Sequence, residues 1–75
     1  MRPDIKFGLD RYRDHHVPTG GFLKCVLEND LFGAFAKADE GNQQDMLSII
    51  QYIYNELPVT CYGSPEQVKE WLERK

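Results

Sequence analysis

Asn42-Gln43-Gln44-Asp45-Met46-Leu47-Ser48-Ile49-Ile50-Gln51-Tyr52-Ile53-Tyr54-Asn55-Glu56-Leu57 is the stretch that decides how the chain folds. Apolar residues at 46, 49, 50, 53 and 57 recur at the three-and-four spacing that lines one side of an α-helix, and Leu47 and Tyr54 widen the stripe. Asn42 can cap the first-turn amides, and Pro58 cannot continue the hydrogen-bond ladder. The spacing predicts a central helix over 43–57, about four turns long, broad enough on its apolar side to be the middle of a small core.

Working outward toward the C-terminus, 58–63 reads as a loop, and Ser64-Pro65-Glu66-Gln67 has the order of a capped helix start. Serine caps, proline takes the first helical position and Gln67 reaches back. The helix that follows, 65–73, turns Val68, Trp71 and Leu72 inward. On the other side, Asp39-Glu40-Gly41 connects to a short helix over 31–38, capped by Asp30 and carrying small residues at 33, 34, 36 and 38 that let another backbone come close. Val17-Pro18-Thr19-Gly20-Gly21 is a turn, with Thr19 as cap of a helix over 22–28 whose residues 22, 23, 26 and 27 face inward.

Residues 1–16 alternate apolar and charged at Ile5, Phe7 and Leu9, with Pro3 and Gly8 set against regular structure. No second strand exists to pair with them, so they read as an extended arm over the helices. The fold class is therefore all-α: three to four short helices bundled around the central helix 43–57, a single helical domain over 17–75 and an N-terminal arm over 1–16. Phe22, Phe32, Phe35, Tyr54 and Trp71 are the large residues available to its core.

At 75 residues, 41% hydrophobic and 28% charged, the chain is a globular sequence with a thin stability margin, which favours a homo-oligomer. Net charge is −3, against a protein that binds duplexes by neutralising phosphates. The charge is unevenly spread. Five basic and three acidic residues lie in 1–24, whereas Lys37 alone faces seven carboxylates in 25–68. Cys25 and Cys61 are too few for a zinc framework or a disulfide-stapled module, and read as reduced, partly buried thiols. No signal peptide and no bilayer-length apolar run is present, so the expected location is the cytoplasm.

Three constellations are candidates for function. Adjacent His15 and His16 point apart and have no third ligand at a helical or hairpin spacing, so neither metal nor cofactor is expected. Thr19-Gly20-Gly21, opening a helix and preceded by Arg11, Arg13, His15 and His16, can offer amides and positive charge to an anion, although it lacks the P-loop lysine. Tyr52 and Tyr54 lie about 200° apart on a helix, so one faces outward. Tyr52, with Asp39 and Glu40 of the connecting loop, is the candidate partner-binding set. A catalytic site with its supporting groups is hard to build in so short a chain, so no enzyme is expected.

The runs His16-Val17-Pro18-Thr19-Gly20-Gly21-Phe22-Leu23, Val26-Leu27-Glu28-Asn29-Asp30-Leu31, Ala38-Asp39, Tyr52-Ile53-Tyr54-Asn55 and Cys61-Tyr62-Gly63-Ser64-Pro65-Glu66, with Trp71-Leu72, carry a resemblance over about 15–72. In these runs the chain resembles a group of short uncharacterised proteins of tailed bacteriophages and prophages. The resemblance implies a small accessory protein of the infected bacterial cell, of the kind that blunts host defence, and brings no activity onto any residue. Residues and resemblance together predict a non-enzymatic binding protein that acts by occupancy, sequestering an anionic nucleotide-type signal between subunits. A protein–protein inhibitor or adaptor docking on a host protein is the alternative. A DNA-associated regulator with a helix-turn-helix at 22–38 is weaker, since Lys24 and Lys37 are its only cations.

Overall fold

Ile5, Leu9 and Tyr12 are spaced four and three apart, and in the computed structural model, which describes residues 1–74, they line the buried side of a helix, α1 (Pro3–His15). The extended arm expected over 1–16 is thus corrected to a helix. The apparent alternation at 5, 7 and 9 hid a helical period, and Phe7, which broke that period, is solvent-exposed. Pro3 stands at the start, where its missing N–H costs nothing, with Asp4 in the first turn and Arg13 and His15 in the last, each matched to the helix dipole. His16 closes the helix in the left-handed conformation, φ 56°, and its N–H bonds to the Tyr12 carbonyl.

The remaining elements are α2 (Gly21–Leu27), α3 (Leu31–Lys37), α4 (Glu40–Gln44), α5 (Met46–Glu56), a 3-10 turn (Val59–Cys61) and α6 (Pro65–Glu73). The all-α bundle is as the sequence predicts. The central helix begins earlier than expected and is interrupted. Asp39, not Asn42, caps it through the Asn42 N–H at 2.8 Å, and Asp45 at φ −91°, ψ 3° separates α4 from α5. Asn42 is instead buried inside α4, and its Oδ1 has no hydrogen-bond partner among the described residues. Thr19 does not cap α2 either: Gly20 holds that position, and the Thr19 hydroxyl donates to the Gly20 carbonyl. The caps predicted at Asp30 and Ser64 are formed, on the Gly33 and Gln67 amides.

The core gathers around α1. Leu9, fully buried, belongs to one cluster with Leu23 and Leu27 of α2, Ile49 and Ile53 of α5, Cys61 of the 3-10 turn and Val68 of α6. Polar bonds then tie α1 down on three sides. The Tyr12 hydroxyl donates to the Cys61 carbonyl at 2.7 Å, the Trp71 indole N–H donates to the Tyr12 carbonyl at 2.8 Å, and the Tyr52 hydroxyl donates to Asp10. Burial raises the pKa of the Tyr12 phenol, which stays a protonated donor at neutral pH, and pushes the Cys61 thiol up to about 11.

The α2–α3 connection is a tight reversal with Asn29 at φ 64°, a left-handed conformation that asparagine tolerates. It swings α3 out to lean on α2, with Ala34 its one buried residue. Phe32, Phe35 and Tyr54, expected in the core, are left in solvent. Loose packing does not explain this. The accessible surface, 4728 Å², matches the ~4,700 Å² of a compact monomer of this mass.

Candidate functional site: an apolar groove between α3 and α5

Positions 46, 50, 53 and 54 of α5 lie within about 100° of one another around the helix, and they look across at Leu31 and Ala34 of α3. Between the two helices runs a groove of about 330 Å³. Val26, Ala34 and Ile53 are among its buried or half-buried lining, and Leu31, Ile50 and Tyr54 are exposed at its edges. Asn29, Asp30, Tyr62 and Gly63 contribute its polar positions. The Gly63 N–H, bonded to the Leu27 carbonyl at 2.7 Å, fixes that segment to the end of α2. Asp30 is the one charged residue in the lining among the described residues, and its Oδ1 accepts the Gly33 N–H of α3.

The same two helices expose further large apolar residues. Leu47, Ile50 and Tyr54 form a stripe at i, i+3, i+7 along α5, and Phe32 and Phe35 stand on α3. Phe32 is 87% exposed and Tyr54 75%. With a fully exposed large apolar residue presenting roughly 200 Å², the exposed fractions of these residues and Leu31 together amount to on the order of 800 Å². A typical monomer's largest apolar patch is about 300–600 Å². Such a surface binds apolar side chains by desolvation; no cation is among its described lining residues, and its carboxylate, Asp30, accepts the Gly33 N–H.

Comparison with protein-family models, with curated proteins and with solved structures gives no match for this chain.

The residues singled out from sequence for an anion are placed as follows. Arg11 lies over the exposed Phe7 ring at 5.5 Å. Arg13 is committed to Asp14 at 2.7 Å, to Asp10 at 3.5 Å and to the Glu56 carbonyl. His15 is exposed, and His16 packs on Trp71 with ring centroids 4.4 Å apart while its Nδ1 meets the Trp71 carbonyl at 2.7 Å. Gly20 and Gly21 are exposed at the start of α2, with Thr19 half-exposed beside them. Among the described residues, no hydrogen bond or ion pair joins Arg11, Arg13, His15 or His16 to the 19–21 segment.

The two tyrosines of α5 have the reverse of their expected roles. Tyr52 is half-buried, bonded to Asp10 and covered by the Lys6 ammonium 5.6 Å from its ring, whereas Tyr54 is the outward one. Burial pushes Asp10 up, but the hydrogen bonds from Tyr52 and Lys6 outweigh it and hold its carboxyl below the ordinary range. Asp39 is likewise held low by the Asn42 N–H and by the Arg2 guanidinium at 2.8 Å. It serves as a cap and ion-pair partner, and Glu40 follows it, exposed, in the first turn of α4. No group of three or more His, Cys, Asp or Glu among the described residues is disposed to hold a metal ion. Cys25 and Cys61 are free and buried, and the Lys37 ammonium donates to the Cys25 sulfur at 3.4 Å. No described helix is long and apolar enough to cross a membrane.

Sequence reasoning missed Leu31, Ile50 and Tyr54 as site residues. The signal that could have found Ile50 and Tyr54 is the width of the α5 stripe. Apolar positions at 46, 47, 49, 50, 53, 54 and 57 cover more of the helix than one packed neighbour can hide.

Proposed function

We propose that the chain is a non-enzymatic protein-docking module that acts by occupancy, receiving the apolar side chains of a protein partner in the α3–α5 groove. The observation that carries this is the exposure of Phe32, Phe35, Leu47 and Tyr54 around that groove in a chain otherwise closed to the area of a compact monomer. Support for docking over nucleotide capture comes from the basic edge. Arg13 and His16 spend their polar atoms inside the molecule, so they add little to an anion site at 19–21. The resemblance to phage and prophage proteins supports a setting inside an infected bacterium, where occupying a host defence protein is the act such a surface suits.

The test is affinity capture from bacterial lysate with the wild type, Ile50→Glu and Leu31→Glu side by side. Both substituted residues are exposed, so the variants keep the fold while placing a charge at the groove. A defined protein held by the wild type and lost by both variants is the expected result. Retention that neither variant weakens, or a rise in melting temperature with cyclic or linear nucleotides, would contradict the docking reading.

A further inference from the structure

We infer that the groove is covered by a second copy of the chain in the absence of another partner, with Phe32 of each copy seated in the groove of the other. This names the occupant and rests on the docking reading above. The first reason is area. The exposed apolar residues of α3 and α5 together offer on the order of 800 Å², comparable to the total surface that each side of a standard stable interface buries.

Shape is the second reason. The face carries both a projection and a recess. Phe32, 87% exposed, stands on the outer side of α3, and the groove opens beside the same helix. A surface holding a knob next to a hole is self-complementary under a two-fold axis, which fills both holes at once and closes the assembly at two chains. Ala36, one turn beyond Phe32 and also exposed, leaves room for the two α3 helices to approach.

Charge is the third. Among the described residues Asp30 is the only charged one lining the groove, and its carboxylate lies against the start of α3, so a two-fold contact here brings few like charges together. The chain's net charge of −3 leaves only weak long-range repulsion between copies. A docking partner then competes with the second copy, and self-association and capture draw on one surface.

Sedimentation equilibrium of the full chain from about 1 µM to about 1 mM tests this. The wild type is expected to pass from 8.7 kDa to twice that mass. Phe32→Asp and Ile50→Glu, one on the knob and one on the hole, are each expected to move the midpoint to at least about 30-fold higher concentration with helicity and melting temperature unchanged. A single-chain mass throughout overturns the inference and assigns the face to a different protein, leaving the docking reading to the capture experiment. A dimer that neither substitution weakens overturns it as well. Capture from lysate that Ile50→Glu and Leu31→Glu both leave intact would count against the docking reading instead.

Discussion

Leu9→Ala is expected to lower stability by about 2–5 kcal/mol, the range for emptying a fully enclosed leucine site whose walls relax only in part. Leu9 is 0% exposed and lies in the same buried cluster as residues of α2, α5, α6 and the 3-10 turn, so no single neighbour can move in to fill the space. A chain of 75 residues has about 4–11 kcal/mol to lose. At about 4–8 °C per kcal/mol, the melting temperature falls by about 8–40 °C, readable as the loss of helical circular dichroism on heating. The same substitution in an arm draped over the surface would stay within about 0.5 kcal/mol. The experiment therefore decides whether residues 3–15 are a core element or an appendage.

Trp71→Ala is the second large effect, about 3–5 kcal/mol by removal of a partly buried aromatic. Its indole N–H holds the Tyr12 carbonyl at 2.8 Å, and its ring lies 4.4 Å from that of His16 and 6.5 Å from that of Tyr12. Those contacts fasten α6 to the end of α1. Trp71→Phe keeps an aromatic ring and gives up the N–H, so its cost should be nearer 0.5–1.5 kcal/mol, roughly one hydrogen bond. Urea midpoints in the order wild type, Trp71→Phe, Trp71→Ala are the expected outcome. Equal losses for the two variants would mean that the indole bond, not the ring, joins the helices.

How far the fold could be read from the sequence depended on how local each signal was. The caps at Asp30 and Ser64, and the helix they open at 31 and 65, are set by residues within one turn of each other, and the chain forms them as read. α1 was hidden because its inward residues are few. Ile5, Leu9 and Tyr12 satisfy a helical period, but Phe7 satisfies an alternating one with Ile5 and Leu9, and only the packing against α5 and α6 breaks the tie. The start of the central helix was misplaced for a related reason. Asp39 and Asn42 are both good caps, and Arg2, remote in sequence, adds its ion pair to Asp39.

The site was the least legible part. Hydrophobicity alone assigns Phe32, Phe35 and Tyr54 to a core, yet α3 is seven residues long and spends its inward face on Ala34 against α2. The aromatic residues are therefore displayed by the fold that was expected to hide them. The basic run at 11–16 misled in the opposite direction. Arg13 pairs with Asp14, its neighbour in the chain, and His16 with a carbonyl of α6, which leaves less free charge than the composition implies.

The most direct measurement of whether the α3–α5 face is the working surface is carbene footprinting of the chain inside cells that contain its partner, against the dilute purified protein. The account predicts protection at Leu31, Phe32, Ile50 and Tyr54, with no change at Arg11, His15 and Thr19. Protection confined to the 11–21 edge, with the groove still open to reagent, would contradict it.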